Sequence, residues 1–167
     1  MNYLFSCLTF IAILLFNGCS SATITTTDTS LSDLDQNKSK QIAQITLFRL
    51  NNYTDTPRAG LRAANIVEGV LLSRGYHINS KLKEKTPSLK KAQDIAKIDG
   101  SKYFIYGGVS EWRYKTGIDG EPAVSLQLSL YQSSDGKLIW SSTGSDNDWG
   151  NASIGTTAQN LIEKMLD

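Results

Sequence analysis

The chain has 167 residues, 40% of them hydrophobic, and a formal net charge of +1. That length and apolar content fit one domain with a moderate core, and nothing calls for two. The near-neutral balance, with basic residues scattered rather than interleaved with aromatics, argues against nucleic-acid binding.

The charge is nevertheless unevenly spread. Residues 38–102 carry 13 basic and five acidic side chains, a local +8, while residues 103–167 carry four basic and eight acidic, a local −4. Such asymmetry bears on partners and assembly rather than fold; ordinary solvated faces are the alternative. Both cysteines, Cys7 and Cys19, lie in the first twenty residues, so no disulfide can staple the folded domain.

In chain order, Leu4 to Phe16 is an uncharged apolar run, short for a transmembrane helix and followed by Asn17, Gly18, Cys19 and Ser20. This reads as a signal peptide over residues 1–18. The cysteine after Gly18 resembles the lipobox of bacterial lipoproteins, in which the thiol takes a diacylglyceryl group and becomes the first mature residue. Several acyl chains of the palmitate type on Cys19 would hold far better than one. Ser20 in the next position points to the outer membrane. An uncleaved anchor or a plain secretory signal is the alternative. Residues 19–40, rich in Ser, Thr and Asp, read as a flexible tether.

The folded domain is expected over residues 41–167. Residues 41–50 have the spacing of a first strand, with Ile45 and Leu47 in its core face, and run into a polar turn at residues 51–55. Thr56-Pro57 predicts a helix start, threonine as N-cap and proline in the first helical position. Ala63, Ile66, Val67, Val70 and Leu71 make its stripe, and Gly75 its C-terminal stop. Tyr76 to Ile78 reads as a short strand; its His77, the one histidine of the chain, has no companion ligand and reads as structural. Thr86-Pro87 repeats the helix-start device for a helix carrying Leu89, Ala92, Ile95 and Ala96 that ends at Asp99-Gly100.

Three strands follow, over residues 103–115, 123–131 and 137–145. In the middle one, Val124, Leu126, Leu128 and Leu130 alternate with Ser125, Gln127, Ser129 and Tyr131, the period of a half-buried antiparallel strand. Asp135-Gly136 supplies a hairpin turn. The pair Gly107-Gly108, inside a strand pattern, marks a bulge or close packing rather than a phosphate loop. Residues 146–150 read as a loop, and Ile154, Ala158, Leu161, Ile162 and Met165 space a closing helix. The fold class is therefore α/β, a single domain with a mixed β-sheet, an antiparallel three-strand C-terminal meander and about three packed helices.

Chemistry is sparse. No Gly-x-Ser-x-Gly or His-Glu-x-x-His run occurs, so serine triads and zinc sites are set aside, and no metal or cofactor is called for. Asp119 and Glu121 share the loop before Pro122, and Glu111 precedes it on the strand, which leaves a carboxylate-only glycosidase open. Solvated turn acids are the plainer account. Trp149, in a polar Asp-Trp-Gly loop, is placed either at a membrane interface or under the closing helix.

The lipobox, the run from Asn52 to Gly60, the run from Tyr106 to Ala123 containing Glu111-Trp112-Arg113-Tyr114-Lys115, and Gly136 to Gly144 with Trp140-Ser141 together resemble the PelC family, outer-membrane lipoproteins of Pel exopolysaccharide export. The resemblance spans nearly the whole mature chain, and its Gly-x-x-x-Trp-Ser strand is shared with a wider group of TolB-like and curli-secretion periplasmic domains. It implies a non-enzymatic subunit of a dodecamer-like homo-oligomeric ring, lipid-anchored through Cys19 on the periplasmic face of the outer membrane. The implied partners are further copies of the chain, the β-barrel exporter PelB, the bilayer, and the cationic polysaccharide made in biofilm formation. Asp119 and Glu121 would then form the polymer-guiding acidic surface, and Trp149 a membrane contact. A lipoprotein activator of peptidoglycan synthases is the alternative, and a periplasmic glycosidase the second one.

Overall fold

The computed structural model describes residues 22–27, 44–116, 120–148 and 152–167. In chain order these form β1 (Thr23–Thr26), β2 (Gln44–Phe48), β3 (Asn51–Asn52), α1 (Ala59–Ser73), β4 (His77–Lys81), α2 (Leu89–Ile98), β5 (Tyr103–Tyr114), β6 (Pro122–Gln132), β7 (Leu138–Asn147) and α3 (Ile154–Leu166). All seven strands belong to one mixed sheet of order β1-β7-β6-β5-β2-β4, with β3 also paired to β5. The α/β class and the antiparallel β5-β6-β7 meander are those expected from periodicity.

Alternation in β6 does what its period requires. Val124, Leu126, Leu128 and Leu130 are all buried on the face covered by α1 and α3, with Ile45, Leu47, Ile105 and Trp140 beside them. The opposite face is covered in part by α2, where Ala92 and Ala96 pack on Phe48 and Phe104. Phe104 stacks on Tyr131 with ring centroids 5.2 Å apart. That second, smaller core lies at the β2 end of the sheet, so the far ends of β5, β6 and β7 keep one face polar.

Both Thr-Pro helix starts fall two residues short of the helices. The N-caps are Arg58 and Ser88, not Thr56 and Thr86. Tertiary bonds explain the shift: Thr56 donates its hydroxyl to the Trp112 carbonyl of β5, and Thr86 donates to the Arg49 carbonyl at 2.9 Å. Each threonine fastens a loop to a strand end, which leaves the next free residue to open the helix. The C-terminal stops hold as expected. Gly75 and Gly100 adopt φ of +88° and +71°, and Tyr76 and Ser101 each donate their N–H back to a carbonyl in the last helical turn.

Three further boundaries differ from expectation. Asn51 and Asn52, read as a turn, pair with Gly108 and Val109. The second strand runs to Lys81, three residues beyond Ile78, because it pairs in parallel with the whole of β2. Within the segment read as tether, Thr23–Thr26 forms an edge strand on β7; Ile24 is its one apolar side chain and packs on the main core. Gly107 and Gly108 answer to close packing, since a Cβ on either would strike the Gln127 carbonyl or the Tyr53 ring. The bulge itself falls just beyond, between Val109 and Glu111.

Candidate functional site at the loop end of the meander

Several chain segments finish at one end of the sheet. Tyr114 closes β5 opposite Pro122, Ala123 lies opposite Asn147, and Thr23 opens β1 opposite Ser145. The loop between β5 and β6, the loop after β7 and the start of β1 therefore share that end. Helix α3 also begins there, its Ile154 N–H donating to the Tyr114 hydroxyl at 3.1 Å. Tyr114 is half exposed, an aromatic at the rim that alternation alone did not single out.

The loop between β5 and β6 is closed by the Lys115 N–H donating to the Glu121 carbonyl at 2.7 Å. Glu121 is only 15% exposed in its side chain and faces the Lys115 ammonium at 3.6 Å. Its charge is thus locally compensated. Glu111 is paired in the same way, with the Arg113 guanidinium at 2.9 Å, and accepts from Ser125. Asp148, by contrast, has no ion-pair partner among the described residues. Sequence reading passed over it as a loop acid; its signal was its place two residues past the last core position of β7. Asp119, Trp149 and Cys19 lie outside the described residues.

Asp146, expected in a loop, stands instead in β7 on the apolar face, opposite Val124 and beneath α3. Alternation with Trp140, Ser142 and Gly144 puts it there, since β7 continues through Asn147. The Lys164 ammonium approaches one carboxylate oxygen at 3.9 Å, and the other oxygen is buried without a hydrogen bond. Burial raises its pKa above the ordinary 3.8, with Lys164 pulling the other way. A carboxyl whose folded pKa is raised contributes stability that is full below the unfolded value and lost as pH rises through the folded one. Asp146→Asn is accordingly expected to melt above the parent chain at pH 7, with the difference shrinking as the pH falls toward 3.8. A difference that stays constant with pH would show that the carboxyl does not titrate with folding.

Among the described residues no helix is long and apolar enough to cross a membrane, and no group of three His, Cys, Asp or Glu side chains could hold a metal ion. Comparison with family models finds no match, and neither does comparison with curated proteins. Solved structures do match. The PelC dodecamer from Paraburkholderia phytofirmans is 30% identical, over 87% of this chain and 95% of that one, with a TM-score of 0.71. The chain belongs to the PelC family.

A variant PelC dodecamer from the same organism is equally similar, at 30% identity over 86% of this chain and 96% of that chain and a TM-score of 0.71. Lipoprotein GNA1162 from Neisseria meningitidis shares the fold, at 20% identity, 73% of this chain and 94% of that chain, and a TM-score of 0.57. In this PelC-family chain, the run from Tyr106 to Ala123 takes in most of β5 and the start of β6, and of the Trp140-Ser141 pair in β7 the tryptophan is buried and the serine half-buried.

Proposed function

We propose that this chain is a lipoprotein subunit of a homo-oligomeric ring serving Pel exopolysaccharide export in biofilm formation. The carrying observation is its similarity, over most of both chains, to a PelC that is a dodecamer. In this reading residues 1–18 are the signal peptide, Cys19 carries the lipid, and the ring sits on the periplasmic face of the outer membrane beneath the barrel PelB. Cationic polymer is drawn through it by loop carboxylates.

The geometry supports one orientation. Cys19 precedes Thr23 by four residues, and four residues reach at most about 14 Å. A lipid on Cys19 would therefore keep the loop end of the meander near the bilayer. Trp149, directly after Asp148, is within the same neighbourhood in sequence, which favours its role as a membrane contact. In that arrangement Glu121 and Asp148 stand near the exit toward the barrel, and Asp119 precedes Glu121 by two residues in sequence. Repeated around a ring, carboxylates focus a field over a Debye length of about 8 Å at physiological salt.

Hydrolysis of a glycosidic bond would need one carboxyl held protonated across an opening from an ionised one. Glu111 and Glu121 each face a cation instead, and the raised carboxyl of Asp146 faces the core. Guidance without catalysis is the better account of these acids.

Light scattering on the mature chain beginning after Cys19 tests the ring directly. A large discrete assembly that binds a glucosamine oligomer, less so in high salt, is the expected result; a monomer both in solution and in outer-membrane extracts would sink the proposal. Cys19→Ser is expected to move the protein from the membrane fraction to the soluble one. Retention of that variant in the membrane would dismiss lipidation as the anchor.

A further inference from the structure

The parallel half of the sheet contains a crevice unrelated to the meander loops. From β2 the chain crosses one face of the sheet through α1 to β4; from β4 it crosses the opposite face through α2 to β5, on the other side of β2. The connections leaving the carboxyl ends of the neighbouring strands β2 and β4 thus part to opposite faces. Open α/β sheets bind ligands at such a point, because the diverging loops leave a gap that no side chain of the sheet fills.

A cavity of about 660 Å³ occupies this gap, between the end of β4 and the first half of α1. Three cations line it: Arg49 just after β2, Arg58 at the start of α1, and Lys83 just after β4. Glu68 is the one acid in the lining, which leaves a local charge of +3 − 1 = +2. None of the three cations is paired with a carboxylate among the described residues.

The walls are fastened in place. Arg49 donates through Nε and Nη2 to the Leu82 carbonyl, at 3.1 and 2.9 Å, and through Nη2 to that of Lys83 at 3.3 Å. Thr86 in turn holds the Arg49 carbonyl. Those carbonyls orient the guanidinium without cancelling its charge, and its Nη1 group has no protein acceptor among the described residues. Arg58 has φ of +63°, and among the described residues no other side-chain-bearing residue takes positive φ. A bulky residue in that conformation is uncommon, and such outliers cluster at functional positions.

We infer that this crevice binds a phosphate ester. A phosphate monoester carries about −1.5 to −2 charge at neutral pH, which matches the local +2, whereas a single carboxylate would leave a net cation uncompensated. Two guanidinium groups and an ammonium supply the charge-assisted donors that phosphate oxygens accept. Asn65 and Ser80, also in the lining, add neutral donors. The monoester belongs either to a soluble molecule or to a membrane lipid whose headgroup is a terminal phosphate.

The full chain in a non-ionic detergent, titrated calorimetrically with inorganic phosphate and separately with short-chain phosphatidic acid, tests this. Arg58→Asn removes the charge while keeping a residue that tolerates the left-handed backbone, and Lys83→Gln alters an exposed turn. Each variant is expected to melt with the parent and to weaken binding about tenfold, the worth of one charge-assisted hydrogen bond. Saturable binding of inorganic phosphate with that loss identifies a soluble ester site. Binding of the lipid alone, with the same loss, identifies a headgroup site. Absence of binding to both probes, or variants that bind as the parent does, overturns the assignment.

Discussion

Gly60→Val is expected to destabilise the domain by about 3 kcal/mol or more, the upper end of what overpacking costs. A Cβ at Gly60 would overlap the backbone carbonyl of Leu50, which has no rotamer through which to escape. Helix α1 approaches the link between β2 and β3 this closely because residue 60 has no side chain, and Leu50 and Ala59 are both buried there. A valine forces the helix off the sheet and opens the main core. Gly69 in the same helix is the control, since a Cβ there meets nothing within 4 Å. Gly69→Ala is expected to stabilise by about 0.5–1 kcal/mol, because alanine gives up less backbone entropy in a helix. Urea denaturation of the two variants should move the midpoint in opposite directions; equal shifts would mean the close contact at Gly60 does not bear load.

The second large effect concerns the proposed capture of cationic polymer, and it depends on which carboxylates stand alone. Glu121 and Lys115 form a compensated pair, while Asp148 has no ion-pair partner among the described residues. Asp119→Asn with Asp148→Asn is expected to weaken binding of a glucosamine oligomer about tenfold at low salt, since each loss is repeated in every subunit of a ring. Glu121→Gln alone uncovers the Lys115 ammonium and should weaken binding by adding repulsion. Removing both members, Lys115→Gln with Glu121→Gln, is expected to restore nearly parental binding. If that double variant is as weak as Glu121→Gln, the carboxylate acts by direct contact with the polymer and not through the local charge balance. If the Asp119 and Asp148 pair changes nothing, the guiding surface lies elsewhere on the ring.

Much of this architecture was legible in the chain because the relevant forces are local. Alternation in β6 reports burial of one face, and the leucines that carry it are indeed the centre of the main core. Gly75, Gly100 and Gly136 mark positive φ at helix ends and a hairpin, where a missing Cβ is the deciding factor. The i, i+4 spacing of α3 likewise foretells the face it buries. The meander motifs also carried the PelC resemblance, which similarity to the Paraburkholderia phytofirmans structure supports at 30% identity.

Tertiary structure decided what local preference left open. Thr56 and Thr86 have the residue type of helix caps, but the carbonyls of Trp112 in β5 and of Arg49 just after β2 compete for their hydroxyls and displace both helix starts. Thr23–Thr26 has too little apolar content to announce a strand, and becomes one because the edge of β7 offers it a ladder. Asp146 looks like a loop acid until the continued alternation of β7 turns it under α3. Glu121 and Asp148 are both acids beside a strand end, and only the fold shows that a lysine stands opposite the first. The crevice beside β2 could not be read at all, because Arg49, Arg58 and Lys83 converge only when the chain crosses the sheet on both faces. Periodicity and backbone freedom act between neighbours along the chain, so the sequence by itself determined the elements and their buried faces; pairing of charges and competition for hydrogen bonds act across space, so only the fold could settle them.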